Sequence, residues 1–154
     1  MGDMTSVCPF YSGLGPSIFL VDDEPRVRDG LKNLLCSLGC SISGEAGSIR
    51  EALAHDGLVG SGLVLLDLVL GGENGIDLIA QLRQRGLPVL VCSWHGESHS
   101  IRRVLNAGAN GYVTKREVAN NLADGIQSVL SGLPYLSPHA AAALDMAPLN
   151  AGRI

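Results

Sequence analysis

The stretch Leu63-Val64-Leu65-Leu66-Asp67-Leu68 decides the fold, because an unbroken apolar run leads directly into a carboxylate. A run of this kind is typical of a parallel β-strand that helices cover on both faces. In sheets of this class, ligands bind beyond the carboxyl ends of the strands. Asp67 therefore lies where a functional group is expected, although a carboxylate at the end of a strand can also simply cap a turn.

Further apolar runs and amphipathic segments alternate along the rest of the chain. The predicted strands are 17–21, 40–44, 63–66, 89–92 and 110–114. The predicted helices are 25–38, 48–53, 76–82, 97–106 and 117–131. Pro25 suits the first position of a helix, and Gly39 and Gly132 are typical stop signals. This alternation predicts a single α/β domain with a doubly wound, five-stranded parallel sheet and right-handed crossovers.

The segments outside these units have a different character. Residues 1–16 mix Gly, Ser and Pro without periodicity, which predicts a flexible N-terminal arm. Residues 17–132 contain all five strand and helix units and form the predicted domain. Residues 133–154 are predicted to be a linker, with one short helix around 140–143 and an irregular end from 146 onward.

Composition argues against two classes of partner. The 154-residue chain has a formal net charge of −4 and a sequence pI of about 5.4, so it has no overall positive field to attract nucleic acid or anionic membranes. No apolar segment approaches the length of a membrane span. The four cysteines lack C-x-x-C spacing, which favours a reducing compartment. We therefore expect a cytoplasmic protein that does not enter a membrane.

Polar side chains follow four of the five predicted strands. The first strand ends in Asp22-Asp23, the third in Asp67, the fourth in Ser93 and the fifth in Lys115. Because the carboxyl ends of parallel strands share one edge of the sheet, these groups should lie close together. Clustered carboxylates are costly unless a cation shares them, and oxygen ligands suit a hard ion such as Mg²⁺. With a lysine beside them, the set is typical of phosphoryl transfer to a carboxylate.

The motif V-D-D-E-P at 21–25 and the spacing of the polar residues resemble the receiver domain of two-component response regulators. The spacings that carry the resemblance are 44 residues from Asp23 to Asp67, eight from Asp67 to Gly75, and 22 from Ser93 to Lys115. The resemblance extends over about 17–131. It implies the flavodoxin-like fold of that family, (βα)5, with strand order 2-1-3-4-5.

The resemblance also implies a role for each polar residue. Asp67 would accept a phosphoryl group from a sensor histidine kinase. Asp22 and Asp23 would hold Mg²⁺ together with Asp67 and the backbone carbonyl of Val69. The remaining implied roles are a hydrogen bond from Ser93 to the phosphoryl group, an ion pair from Lys115 to its oxygens, and a switch aromatic, Tyr112, that turns inward on activation. A receiver of this kind is not an enzyme, apart from catalysing its own phosphorylation and dephosphorylation.

Two segments, G-A-N-G-Y-V-T-K at 108–115 and S-V-L-S-G-L-P-Y-L-S-P at 128–138, further resemble the NarL/LuxR-type branch of this family. Receivers of that branch usually precede a helix-turn-helix domain, which implies transcriptional regulation by the full-length protein. The sequence departs from the family pattern at two positions. Gly71 replaces the usual proline after the phosphoacceptor, which predicts a looser loop. Trp94 replaces a smaller residue, and its ring would either slow the entry of water or phosphodonor or fold over the fourth helix.

The output of the signal is predicted to be a protein surface. Only 16 residues follow Pro138, too few for a helix-turn-helix, and Arg153 is their single basic residue. The helix-turn-helix domain is therefore expected to be absent, and this chain should not bind DNA itself. The surface from the fourth helix to the last helix is the candidate for homodimer formation or partner docking, with four basic residues near it: Arg102, Arg103, Lys115 and Arg116.

Other interpretations receive less support from the sequence. An Mg²⁺-dependent phosphohydrolase with an aspartate nucleophile would need a second acid two residues after Asp67, where this chain has Val69. A nucleotide-binding domain would need a glycine-rich phosphate loop, and neither common form occurs. A pseudo-receiver that serves only as an interaction module would not need the complete set of acids and lysine. A stand-alone, single-domain response regulator stays as an alternative.

Overall fold

A computed structural model describes residues 15–145, in which a parallel sheet lies between two layers of helices. The strands of this sheet are β1 (Ser17–Val21), β2 (Ser41–Ala46), β3 (Leu63–Leu66), β4 (Val89–Ser93), β5 (Gly111–Thr114) and β6 (Tyr135–Leu136). The helices are α1 (Pro25–Ser37), α2 (Ile49–Ala54), α3 (Ile76–Gln84), α4 (Ser98–Asn106), α5 (Val118–Leu130) and α6 (Pro138–Asp145). The predicted arm up to residue 14 and the predicted irregular end at 146–154 lie outside the described residues. Within 15–145, no helix has the length and apolar character needed to cross a membrane.

The sheet has the order β2-β1-β3-β4-β5-β6, and all of its strands are parallel. The predicted fold class and the order 2-1-3-4-5 of the first five strands are confirmed. The sixth strand is not predicted by the sequence. It pairs with β5 through Gly111↔Tyr135 and Tyr112↔Leu136, inside the segment expected to be a linker. The difference arises because β5 offers an open edge, which the local sequence of the linker does not reveal.

Helices cover both faces of the sheet, which explains the unbroken apolar run in β3. All four residues of β3 are at most 2% exposed. Val64 and Leu66 belong to a core that α2, α3, α4 and α6 complete, whereas Leu63 and Leu65 belong to a second core formed with α1 and α5. The side chains on both faces of this strand must therefore be apolar. The first acid after this run, Asp67, emerges at the carboxyl edge of the sheet.

The segment after α5 packs against the domain instead of extending away from it. The backbone N–H of Ser137 donates to the carbonyl of Tyr112 at 2.9 Å, which continues the pairing of β6 with β5. Helix α6 contains the short helix predicted at 140–143 and is longer at both ends. Ala140 is fully buried in the core that α4 also lines. Residues 135–145 are therefore part of the folded unit, which corrects their assignment to a linker.

A two-stranded hairpin, Val69–Leu70 with Glu73–Asn74, connects β3 to α3. It ends at Gly75, whose backbone N–H donates to the carbonyl of Leu68 at 2.6 Å. A Cβ on Gly75 would lie 2.4 Å from the carbonyl oxygen of Asp67, closer than non-bonded atoms approach. Glycine at this position therefore lets the hairpin fold back tightly beside Asp67, which explains the eight-residue spacing between them.

Candidate functional site

Three charged side chains meet at the carboxyl edge of the sheet. Asp22 follows β1, Asp67 follows β3 and Lys115 follows β5. The Nζ of Lys115 donates to Oδ2 of Asp22 at 2.7 Å and to Oδ2 of Asp67 at 3.0 Å. All three residues are buried, with exposed fractions of 2% for Asp22 and 8% for each of the other two. The strand order therefore brings together groups that are up to 93 residues apart in the sequence.

The carboxylates of Asp22, Asp23 and Asp67 form a candidate metal site. One oxygen from each residue lies within 4.8 Å of the other two. This donor set consists of oxygen only, and hard divalent ions such as Mg²⁺ prefer such ligands. The residues present therefore fit the ion that the sequence predicts. Val69 lines the same cleft, and the role of its backbone carbonyl as a ligand stays a prediction.

Backbone N–H groups hold the two neighbouring acids in place. Glu24 donates its N–H to Oδ1 of Asp22 at 2.9 Å, and Gly71 donates its N–H to Oδ2 of Asp23 at 2.7 Å. Gly71 has a φ of +64°, in the left-handed region that favours glycine. A proline could offer neither this N–H nor this φ. Gly71 thus ties the hairpin to Asp23, and the looser loop stays a prediction.

Arg28 supports the acidic loop from the side of α1, and no sequence pattern indicates this role. Its Nη1 donates to the backbone carbonyl of Asp22 at 2.5 Å, and its Nε donates to Oε1 of Glu45 at 2.8 Å. Glu45 also accepts a hydrogen bond from Lys32 at 2.6 Å. Because Glu45 lies on β2, the contact depends on the pairing of β2 with β1. The periodicity of α1 places Arg28 beside the apolar stripe, three residues before Leu31, but does not reveal its partners.

For both Asp67 and Lys115, burial shifts the pKa in one direction and the contact between the two charges shifts it in the other. Burial raises the pKa of the Asp67 carboxyl, and the hydrogen bond and charge of Lys115 only partly offset this. Burial lowers the pKa of Lys115, but its hydrogen bonds to Asp22 and Asp67 outweigh burial, so that the pKa is raised overall. Lys115 is therefore held as a cation. Asp67 is a carboxylate whose charge is incompletely compensated, so a further cation nearby would stabilise its ionised form.

A cleft of about 390 Å³ opens beside Asp67. Ser93 and Trp94 both line this cleft. Ser93 is buried, and its Oγ accepts the backbone N–H of His95 at 3.3 Å. Trp94 is 58% exposed, so most of its ring faces solvent at the cleft. The structure thus brings both residues to the acids and the lysine, with Ser93 inside the cleft and Trp94 at its rim.

Tyr112, the predicted switch aromatic, points into the domain. It is fully buried, and its hydroxyl donates to the backbone carbonyl of His95. Burial raises the pKa of Tyr112 to about 12, so the hydroxyl stays protonated and can donate. This bond connects β5 to the loop that follows Ser93. The ring already occupies the inward position that the resemblance associates with activation, and its movement stays a prediction.

The arrangement places a carboxylate beside one fixed cation and a candidate metal site. Asp67 offers an oxygen to the cleft, Lys115 can donate to an incoming anion, and the neighbouring acids fit a divalent ion. These are the requirements for transferring a phosphoryl group to a carboxylate. Val69 lies two residues after Asp67, where a phosphohydrolase of the aspartate type would need its general acid. The hydrolase alternative therefore gains no support from this site.

The chain is similar to proteins of known family. A family profile described as the response regulator receiver domain matches residues 18–127. The transcriptional activator protein ExaE of Pseudomonas putida is 36% identical over 137 residues, which are 85% of this chain and 63% of that protein. The DNA-binding transcriptional activator DevR/DosR of Mycobacterium tuberculosis is 36% identical over 130 residues, which are 82% of this chain and 60% of that protein. The chain thus spans about three fifths of the length of these relatives.

Solved structures show the same likeness in three dimensions. A two-component response regulator of the LuxR family from Aurantimonas sp. SI85-9A1 superposes with a TM-score of 0.78 at 32% identity, covering 84% of this chain and 94% of that one. The isolated receiver domain of RcsB from Salmonella enterica, in the presence of phosphomimetic BeF3-, gives a TM-score of 0.76 at 18% identity, covering 84% of this chain and 98% of that one. At that identity, the second likeness supports the fold alone.

Proposed function

We propose that this chain, which belongs to the response regulator receiver domain family, accepts a phosphoryl group on Asp67 from the phosphohistidine of a sensor kinase. The observation that carries the proposal is the buried contact of Lys115 with Asp22 and Asp67, at 2.7 Å and 3.0 Å. A cation fixed at this distance from a carboxylate can donate to the oxygens of a phosphoryl group that arrives there. The acids beside it supply the ligands for a divalent ion, which phosphoryl transfer commonly uses.

In the proposed reaction, an oxygen of Asp67 attacks the phosphorus in line with the leaving imidazole of the kinase histidine. A P–O bond forms as the P–N bond breaks, and the imidazole takes up a proton as it leaves. Lys115 and the hydroxyl of Ser93 donate hydrogen bonds to the phosphoryl oxygens. Both donors already lie at the cleft in the folded domain, so a local change of position brings them to the phosphoryl oxygens when negative charge develops.

Asp22, Asp23 and Asp67, with the backbone carbonyl of Val69, would hold Mg²⁺. When bound, the ion supplies positive charge that offsets the charge on the phosphoryl oxygens. Hydrolysis of the aspartyl phosphate by water would later return the domain to its starting state. Its only catalysis would therefore be this self-phosphorylation and self-dephosphorylation. The exposed ring of Trp94 at the rim of the cleft would restrict the approach of water and donor.

Phosphorylation would act as a switch, because the new anion gives Ser93 and Lys115 a further partner that competes with the contacts they already make. The loops after β4 and β5 would then be biased toward a second arrangement. The Tyr112 ring is already inward, and because its hydroxyl bonds the loop after β4 through His95, it would shift together with that loop.

The relatives named above are transcriptional activators, and we propose that this domain passes a kinase signal to transcription in the cytoplasm as part of a NarL/LuxR-type regulator. Residues 17–132 would be the receiver that carries the phosphoryl chemistry. Its partners would be the sensor histidine kinase and a second copy of the receiver. DNA contact is not assigned to this chain, because its net charge is −4.

Intact-mass measurement after treatment with acetyl phosphate and Mg²⁺ tests the proposed function. We expect one added phosphoryl group in the wild type, and none in Asp67→Asn or after removal of Mg²⁺ by a chelator. Asp77→Asn is the matched control, because Asp77 is an exposed acid in the first turn of α3. It should be phosphorylated like the wild type. A phosphoryl group that persists on Asp67→Asn would contradict the assignment.

A further inference from the structure

Glu117 fastens the segment 135–145 to the end of β5. Its Oε2 accepts hydrogen bonds from the hydroxyls of Thr114 and Ser137, both at 2.6 Å, and its Oε1 accepts the backbone N–H of His139 at 2.8 Å. Although burial opposes it, these hydrogen bonds lower the pKa of Glu117, so the side chain is ionised at neutral pH. Ser137 Oγ also accepts the backbone N–H of Thr114 at 3.3 Å. One carboxylate thus joins β5 to the start of α6.

The segment 135–145 covers the surface formed by α4 and β5. Strand β6 pairs along the edge of β5, and α6 packs against α4. Ala140 of α6 is fully buried in the core that contains Ile101 and Val104 of α4. Ser137 is also fully buried. Part of the surface that the sequence offers for partner docking is therefore already occupied by the chain's own C-terminal segment.

Thr114 connects Glu117 and the segment 135–145 to the candidate phosphoryl site. It directly precedes Lys115, whose Nζ bonds Asp22 and Asp67. A phosphoryl group on Asp67 adds oxygens that compete for the same Nζ, so Lys115 has to change its position. The N–H of Thr114 donates to Ser137 Oγ, and its hydroxyl donates to Oε2 of Glu117. A change at Lys115 therefore alters the geometry of the two bonds that hold the segment to β5.

The segment also lies near the loop after β4. A Cβ added to Gly96 would stand 3.7 Å from Cδ2 of His139, so the His139 ring lies close to this loop. The loop begins at Ser93, which lines the cleft beside Asp67. If Ser93 turns toward a phosphoryl group, the loop moves toward Asp67. The surroundings of the His139 ring then change.

We propose that residues 135–145 are a displaceable internal ligand of the surface formed by α4 and β5, anchored by Glu117, and that phosphorylation of Asp67 weakens their attachment. This inference rests on the phosphoacceptor function proposed above. In the unphosphorylated domain the segment covers its surface. In the phosphorylated domain the bonds of Thr114 to Ser137 and Glu117 are disturbed, and the loop beside His139 changes its position. Phosphorylation then changes the position of the C-terminal segment, and this change is what a partner can detect.

Hydrogen exchange over 135–145 tests the anchor without any phosphorylation. In Glu117→Gln, an NH₂ group replaces one of the acceptor oxygens, so the three donors can no longer all be satisfied. We expect the amides of 137–141 to exchange about tenfold faster than in the wild type. Ser137→Ala should change exchange in the same direction, and the charge-matched control Asp77→Asn should not change it. Equal protection in Glu117→Gln and the wild type would overturn the proposal.

Exchange in the phosphorylated wild type tests the coupling to Asp67. After treatment with acetyl phosphate and Mg²⁺, we expect the amides of 137–141 to lose protection, and Asp67→Asn treated in the same way to keep it. The intact mass of the protein is measured in the same samples. If no phosphoryl group is present, the phosphoacceptor function fails and the displacement fails with it. If the group is present and protection is unchanged, only the displacement is overturned.

Discussion

Lys115→Met should destabilise the domain far more than Lys32→Met, although each lysine contacts two carboxylates. The side chain of Lys115 is 5% exposed, and those of its partners Asp22 and Asp67 are 3% and 10% exposed. Removing one member of a buried ion pair leaves the partner's charge uncompensated and costs about 3–5 kcal/mol. We expect the free energy of unfolding to fall by about this amount in Lys115→Met. Such a loss is a large part of the roughly 5–15 kcal/mol that stabilises an ordinary domain.

Lys32 provides the control because it also contacts two carboxylates, one of them at a similar distance, but is solvated. It bonds Glu45 at 2.6 Å and Asp29 at 3.4 Å, and the three side chains are 30%, 35% and 70% exposed. Water screens these charges, so their removal should change the free energy of unfolding little. Methionine retains much of the apolar stem of lysine, so both substitutions mainly remove charge.

Urea unfolding at neutral pH without divalent ions measures both variants. Addition of Mg²⁺ then tests the electrostatic origin of the loss. An ion at a hundredfold excess over its Kd stabilises the folded state by about 2.7 kcal/mol. Mg²⁺ should recover more stability in Lys115→Met than it adds to the wild type, because the acids of the variant have no other cation. A loss in Lys115→Met that is no larger than the loss in Lys32→Met would refute the reasoning.

Three further predictions concern Asp67 and the glycines near it. Burial raises the pKa of Asp67 in the folded state, so ionisation of this group lowers the free energy of unfolding as the pH rises through the folded pKa. In urea titrations between about pH 3.5 and 7, the stability of Asp67→Asn relative to the wild type should therefore increase with pH. A constant difference would contradict this. Gly75→Ala should lower the free energy of unfolding by about 1–3 kcal/mol, because its Cβ would lie 2.4 Å from the Asp67 carbonyl oxygen. Gly72→Ala has open space and should match the wild type in the same assay, and equal effects of the two alanines would count against the close approach. Gly71→Pro should weaken Mg²⁺ binding in calorimetric titration more than Gly71→Ala, which keeps the N–H that bonds Asp23, and indistinguishable affinities would show that this bond does not position the acid.

The central strand and the acids could be predicted because their signals are local. Helices cover both faces of β3, so every residue of the strand is apolar, and the strand can be recognised without knowledge of its neighbours. Asp22, Asp67 and Lys115 each lie at the end of a strand. In a parallel sheet, that position alone brings them to one edge. Their convergence therefore follows from the alternation of strands and helices.

The C-terminal segment could not be predicted in the same way. Strand β6 has two residues, Tyr135 and Leu136, and two residues cannot show a period. The hydrogen bonds of Glu117 to Ser137 and His139 exist only because the chain returns to β5 after α5. Gly71 is an intermediate case, since the sequence shows the departure from proline but only its φ and its N–H reveal the effect.

Both edges of the described sheet are poorly suited to pairing with another strand, for different reasons. Strand β6, at one edge, is two residues long and lies between Pro134 and Pro138, which have no backbone N–H to donate. At the other edge, the register of β2 on β1 skips Ser43, and such an irregularity disturbs the row of backbone groups that a new strand would need. Long, regular strand edges are sites of aggregation. The folded domain is thereby protected from side-by-side aggregation, and release of residues 135–145 would remove that protection at the edge of β5.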